Sequence, residues 1–142
     1  MRKILLLTLA ASLAATAPSM AQTAKRAAPK IDQAALERYQ SYHPASTVDD
    51  YLGSVRFCTA YKQLALTYIA RKAAKRPLGE VQRAARLETT KWAPDGDYEK
   101  QQTTESALVG LVQKIYDTDI KDKNAFVADA YSTCMDKGGY LL

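Results

Sequence analysis

The chain has 142 residues, 20 of them Lys or Arg and 15 Asp or Glu, and its formal net charge is +5. This length is enough for one modest hydrophobic core and excludes two, so one domain is expected. After the first 21 residues no segment is apolar for long enough to cross a bilayer, which excludes a transmembrane span in the rest of the chain.

The first 21 residues have the three parts of a secretory signal peptide. Arg2 and Lys3 form a cationic start, an apolar run follows, and small residues precede a cleavage site after Ala21. Cleavage is expected between Ala21 and Gln22. The mature protein is therefore predicted to lie in the periplasm or to be secreted beyond it.

The mature chain is predicted to begin with a flexible leader over residues 22–30, because this stretch is small, polar and cationic. A single domain is predicted over residues 31–142. Its first element is a short amphipathic helix over residues 31–42. His43-Pro44 ends this helix, since the residue before a proline disfavours the helical conformation.

A long helix is predicted to begin after Ser46 or Thr47, whose side-chain oxygen can cap the first turn. Asp49 and Asp50 would lie in that turn, where negative charge suits the positive end of the helix dipole. Apolar residues then recur at helical spacings in a stripe wide enough to contact more than one neighbour. Gly53 allows an alternative, a bend in this helix followed by a second cap.

Three further helices are predicted after a turn at residues 77–79. The first covers residues 79–92 and is followed by a strong turn at 93–97. The next has an apolar stripe from Leu108 to Ile115, with Thr103 or Thr104 as its start signal. The last carries Phe126 to Cys134 on its apolar face and ends at residues 137–139, where a lysine precedes two glycines.

Cys58 and Cys134 are the only cysteines, and each lies on the apolar face of its predicted helix. Export would place them in an oxidising compartment, where one intramolecular pairing is available. The chain-entropy model gives such a bridge a stabilising effect of at most about 4–5 kcal/mol. The sequence thus predicts an all-α bundle of four or five helices, with one disulfide linking the long first core helix to the last helix.

Residues that could support catalysis are few. The single histidine, His43, stands in a loop, and the bridge accounts for both cysteines. Acidic clusters at residues 95–99 and 117–122 have some features of calcium loops, but neither cluster has all the ligand positions of such a loop. Turn or helix-cap roles are therefore expected for them. No catalytic residue, metal site or cofactor is predicted.

Charge is distributed unevenly along the chain. Between residues 71 and 91, seven basic residues face two glutamates, a net charge of +5. These residues form a candidate surface for an anionic partner such as lipid headgroups, lipopolysaccharide or an acidic protein, and nucleic acid is not expected outside the cytoplasm. Alternatively, they are solvated or pair with the acidic C-terminal part of the fold. This basic stretch consists of Arg71, Lys72, Lys75, Arg76, Arg83, Arg86 and Lys91.

Three short motifs of the chain are similar to those of a known group of proteins. They are Phe57-Cys58 on a long helix rich in alanine and tyrosine, Leu111-Val112 followed by Ile115-Tyr116, and Tyr131-x-x-Cys134 near the end. In these features the chain resembles small uncharacterised exported helical proteins of proteobacteria, whose two cysteines lie on the first long helix and the last one. The resemblance covers residues 55–137 and implies a fold and a location, without an activity.

These observations together predict a periplasmic, non-catalytic binding or interaction protein with an envelope partner of unknown identity. An inhibitor or immunity protein of an envelope-acting enzyme is the alternative among binding functions. An envelope stress chaperone and a small metal-dependent hydrolase that uses the acidic clusters are less favoured.

Overall fold

The computed structural model of the protein describes residues 30–93 and 96–140. The predicted signal peptide, nearly all of the leader and two residues of the turn at 93–97 lie outside the described residues. All the described helices belong to one compact unit that begins at Ile31.

The described residues form five α-helices and a short 3-10 turn, with no β-strand among them. The helices are α1 (Gln33–Tyr42), α2 (Val48–Ala73), α3 (Leu78–Trp92), α4 (Tyr98–Asp117) and α5 (Lys123–Asp136), and the 3-10 turn covers Gly138–Tyr140. A disulfide joins Cys58 to Cys134, with 5.7 Å between their Cα atoms, and so connects α2 to α5. The predicted all-α bundle and its disulfide are both confirmed.

The start of α2 is the predicted one. Thr47 Oγ1 accepts a hydrogen bond from the backbone N–H of Asp50 at 3.2 Å, and the Asp50 carboxylate accepts one from the backbone N–H of Thr47 at 2.7 Å. This reciprocal arrangement is a capping box, which satisfies two backbone donors that the first helical turn would leave unpaired. The two bonds to Thr47 lower the pKa of the Asp50 carboxyl.

Two sequence-based interpretations differ from the structure. Helix α4 begins at Tyr98, not near Thr103 or Thr104, because the Asp97 carboxylate accepts a hydrogen bond from the backbone N–H of Lys100 at 3.0 Å and caps it there. The first turns of α4 are polar, so no apolar periodicity marked the start of this helix in the sequence. The alternative of a bend at Gly53 followed by a second cap is also wrong, since α2 runs as one helix through this position.

Helices α2 to α5 alternate in direction. The Cys58–Cys134 bridge and a hydrogen bond from Ser54 to Gly138 place α5 antiparallel to α2. Contacts of Arg86 with Glu105 and of Gln82 with Gln113 place α4 antiparallel to α3. The main core lies between these helices and includes the fully buried Phe57, Tyr68, Val81, Leu108, Val112 and Ile115.

Helix α1 packs on α2 and α5 through a small core of its own, formed by Leu36, Tyr39 and Tyr51. The Asp32 carboxylate caps its start, and it ends at Tyr42, before His43-Pro44, as predicted.

Among the described helices, none combines the length and hydropathy that a membrane span requires.

Candidate functional site

The basic stretch is spread over three parts of the fold. Arg71 and Lys72 lie in the last turn of α2, Lys75 and Arg76 in the connection that follows, and Arg83, Arg86 and Lys91 along α3. The fifteen residues of α3 extend over about 22 Å. The structure therefore distributes these residues over the end of α2, the connection after it and the length of α3, and does not gather them around a single point.

Lys72 has a structural role that was not evident from the amino-acid sequence. Its Nζ donates hydrogen bonds to the carbonyl oxygens of Ile115 (2.8 Å), Tyr116 (3.1 Å) and Thr118 (2.8 Å). An ammonium group has three donors, so all three are used here. They satisfy carbonyls at the C-terminal end of α4, where positive charge also suits the helix dipole. Lys72 thus ties the end of α2 to the end of α4.

Three other members of the basic stretch form ion pairs with exposed or half-buried glutamates. The pairs are Arg86 with Glu105 at 3.0 Å, Lys91 with Glu88 at 2.8 Å and Arg76 with Glu80 at 3.9 Å. Such solvent-exposed pairs contribute little to stability and exchange readily with other ions. The first pair joins α3 to the acidic C-terminal part, in agreement with the alternative that some of this charge is paired within the fold.

The acidic clusters supply helix caps. Asp97 caps α4, and the Asp122 carboxylate accepts hydrogen bonds from the backbone N–H groups of Asn124 (2.8 Å) and Ala125 (3.0 Å) at the start of α5. Within residues 30–93 and 96–140, no group of three His, Cys, Asp or Glu side chains could hold a metal ion. His43 packs against Tyr39, with 4.7 Å between the ring centroids.

A groove between α4 and α5 forms a large concave feature on the described residues. Both helices pack on α2 but make few contacts with each other, which leaves an open volume of about 710 Å³. Lys114 crosses the gap at one end, where its Nζ lies 3.1 Å from a carboxylate oxygen of Asp129 and 5.5 Å from the ring centroid of Phe126. The groove is lined by Tyr61 from α2, by Glu99, Gln102, Thr103, Ser106, Ala107, Gly110, Leu111 and Lys114 from α4, and by Ala130, Thr133 and Lys137 from α5 and its end.

The chemistry of the groove is polar at its sides and apolar at its floor. Thr103, Ser106 and Thr133 supply hydroxyl groups that both donate and accept hydrogen bonds. The Tyr61 hydroxyl donates to the carbonyl oxygen of Ala107 at 3.4 Å, which joins the floor of the groove to α4. Two lysines against one glutamate give the lining a net positive charge.

Gly110 is unusual among the residues of the groove. It lies inside α4, its φ is not positive, and a Cβ built on it would have no heavy atom within 4 Å. Neither backbone conformation nor close packing therefore requires a glycine here. A glycine inside a helix costs about 1 kcal/mol relative to alanine. The absent side chain leaves open space in the groove that Gly110 lines.

This groove was not predicted from the sequence. Its polar residues recur along α4 at helical spacings from Glu99 to Lys114, but a polar helical face is usually only a solvated one. Thr103, interpreted as a helix start, lies instead in the groove wall. The one informative sequence signal was a glycine in the middle of a helical stripe.

Comparison with known proteins does not identify a relative. The sequence matches no protein-family model, and no curated protein or solved structure is significantly similar to it.

Proposed function

We propose that this chain is an exported, non-catalytic binding protein and that the α4–α5 groove is its binding site. The signal-peptide pattern of the first 21 residues supports export. The Cys58–Cys134 disulfide supports it independently, since such bonds persist in oxidising compartments outside the cytoplasm. The resemblance to exported two-cysteine helical proteins agrees with this location.

The observation that carries the proposed site is Gly110. Gly110 is exposed in the interior of α4, where glycine lowers helix stability relative to alanine, and neither its φ nor its surroundings require a glycine. Here the absent side chain leaves space in a groove whose volume falls in the usual range for ligand sites, about 300–1,000 Å³. Binding is favoured over catalysis because the described residues that line the groove include no histidine or cysteine and the Tyr61 hydroxyl is engaged with Ala107.

The shape of the groove favours an extended ligand. From Glu99 to Lys114 the lining of α4 covers about 22 Å along the helix axis. Hydroxyl groups along this length could bond to a polar chain, and Lys114 and Lys137 favour a negatively charged group on it. The exposed Lys114–Asp129 pair could exchange Asp129 for such a group at little cost.

Two glycine substitutions provide the test. Gly110→Leu would fill the groove, whereas Gly79→Leu alters a second helical glycine that also has no heavy atom within 4 Å of a built Cβ but lies in α3, outside the groove. The oxidised exported protein and both variants are used as bait for the envelope fraction of the producing cell. We expect a ligand that the original protein and Gly79→Leu retain and that Gly110→Leu loses, while all three have the same circular dichroism spectrum.

The salt resistance of the captured material distinguishes the kinds of binding protein. A single stoichiometric protein that survives high salt would favour the inhibitor or immunity alternative. Material that all three baits capture equally and that moderate salt removes would contradict the groove, since it would reflect nonspecific attraction to the basic stretch. The mass of the exported protein tests the location, because cleavage between Ala21 and Gln22 predicts a mature chain that begins at Gln22.

A further inference from the structure

A second cavity, of about 190 Å³, lies where α1 meets α2 and α5. Four of the nine tyrosines of the chain line it: Tyr39 and Tyr42 from α1, Tyr51 from α2 and Tyr131 from α5. We call this cavity the tyrosine pocket. The remaining lining includes Met135, so that aromatic and thioether groups dominate its walls.

The inner wall of the tyrosine pocket is held firmly. The rings of Tyr39 and Tyr51 meet edge to face, with 5.4 Å between their centroids, and both side chains are buried. The Tyr39 hydroxyl lies 2.9 Å from Ser54 Oγ, which itself donates to the carbonyl oxygen of Gly138 at 2.7 Å. Tyr42, by contrast, is 58% exposed and forms the open side. The pocket therefore combines a fixed aromatic wall with an accessible one.

One side chain of each charge lines the same pocket, Arg38 from α1 and Asp136 from α5. Neither forms an ion pair with another residue in the described part of the chain. Asp136 is the last residue of α5, where the negative end of the helix dipole disfavours a carboxylate. An unpaired carboxylate at such a position would be stabilised by a cation bound beside it.

From this combination we infer that the tyrosine pocket binds the trimethylammonium group of a small zwitterion such as phosphocholine. Aromatic rings attract cations through their negative faces, and cages of several rings are the usual recognition element for quaternary ammonium groups. A quaternary ammonium has no N–H donor, so it loses less than a primary amine does when aromatic rings replace water. Asp136 supplies the negative charge beside the cation, and Arg38 pairs with the anionic end of the ligand.

The pocket also selects for size. Its volume of about 190 Å³ lies below the range of drug-sized sites, about 300–1,000 Å³, and suits a compact headgroup. This inference is independent of the α4–α5 groove, because the two cavities share no lining residue. The Gly110→Leu variant should therefore bind phosphocholine as the original protein does.

Calorimetric titration of the exported, oxidised protein tests the inference, with phosphocholine and phosphoethanolamine as matched ligands. They carry the same phosphate and differ only in the methyl groups on nitrogen. Phosphocholine is expected to bind at least ~10-fold more tightly, because only its cation is of the type that aromatic cages prefer. Equal affinity for the two ligands, or no heat from either at millimolar concentration, would overturn the inference.

Substitutions at the open wall separate a cation–π contact from a merely structural role. Tyr42→Leu should weaken phosphocholine binding roughly 5- to 30-fold, whereas Tyr42→Phe should retain most of it, since phenylalanine keeps the aromatic face. Tyr98→Leu is the matched control, because Tyr98 is 77% exposed and does not line the pocket. Equal affinity of Tyr42→Leu and the original protein would contradict the assignment even if phosphocholine bound.

Two charge substitutions test the roles of Asp136 and Arg38, and a vesicle experiment tests where the ligand comes from. Asp136→Asn should weaken the binding of both choline and phosphocholine, whereas Arg38→Gln should weaken only that of phosphocholine. Sedimentation with phosphatidylcholine vesicles, competed by free phosphocholine, would assign the lipid headgroup as the source. Binding of free phosphocholine without any vesicle binding would assign a soluble source, and either result supports the same chemistry.

Discussion

Ser54 and Gly139 approach so closely that a Cβ atom at residue 139 would lie 2.7 Å from both the Cα and the Cβ of Ser54. The backbone at Gly139 has a φ of +72°, a conformation that L side chains rarely adopt. Ser54 is fully buried in the first third of α2, and its hydroxyl donates to the carbonyl oxygen of Gly138. The chain after α5 is therefore fixed against α2 by contacts that only glycine permits.

This close approach predicts opposite effects for two glycine-to-alanine changes. Gly139→Ala should destabilise the protein by about 2 kcal/mol or more, because it combines backbone strain with a clash. Gly110→Ala should stabilise it by about 0.5–1 kcal/mol, since the new methyl meets nothing within 4 Å and alanine favours a helix. Urea denaturation of both variants measures the free energies of unfolding. A neutral Gly139→Ala would contradict the close approach.

The bridge between Cys58 and Cys134 predicts a large stability difference between the oxidised and reduced protein. The two residues are separated by 76 positions, and both are fully buried. A Cys58→Ala/Cys134→Ala double variant should lose about 2–4 kcal/mol, less than the chain-entropy maximum, because real unfolded states are already partly restricted. Thermal unfolding with and without reductant measures this effect. The double variant is its own control, because reductant should leave its midpoint unchanged.

Because Lys72 bonds to three backbone carbonyls, its substitution is expected to lower stability more than substitution of any other residue of the basic stretch. Lys72→Met keeps most of the unbranched side chain but leaves the carbonyl oxygens of Ile115, Tyr116 and Thr118 without this donor. We expect a destabilisation of about 1–3 kcal/mol, the usual cost of removing a charged donor from backbone acceptors. Lys75→Met is the matched control, since Lys75 is exposed in the connection after α2. Equal unfolding midpoints for the two variants would show that the hydrogen bonds of Lys72 to the end of α4 contribute nothing to stability.

Lys72 also illustrates which features could be predicted from the sequence. The cap of α2 and the pairing of the cysteines follow from local signals and from helical periodicity, and both were predicted. The partners of Lys72 lie more than 40 positions away in sequence, and no local pattern indicates that the ends of α2 and α4 coincide. The same holds for the α4–α5 groove, which exists because two helices pack on α2 and make few contacts with each other. Long-range geometry of this kind has no signature in a single sequence.

The capping box at the start of α2 predicts a pH-dependent contribution to stability. Hydrogen bonds from the backbone and side chain of Thr47 lower the pKa of Asp50 below 3.8, its ordinary value. The folded state therefore binds this proton less readily than the unfolded state. The resulting stabilisation is present above pH 3.8 and is lost as the pH falls through the lower pKa of the folded protein.

The Asp50→Asn variant isolates this contribution, because an amide side chain does not titrate and resembles the protonated carboxyl in shape. The original protein should be more stable than Asp50→Asn at pH 6, and the difference should shrink as the pH falls below 3.8, the ordinary pKa of the carboxyl. Chemical denaturation at a series of pH values measures it. Asp49→Asn is the control, since Asp49 also lies in the first turn of α2 but has no part in the capping box. A difference between Asp50→Asn and the original protein that does not change with pH would show that the carboxylate is not bonded to Thr47 in the folded state.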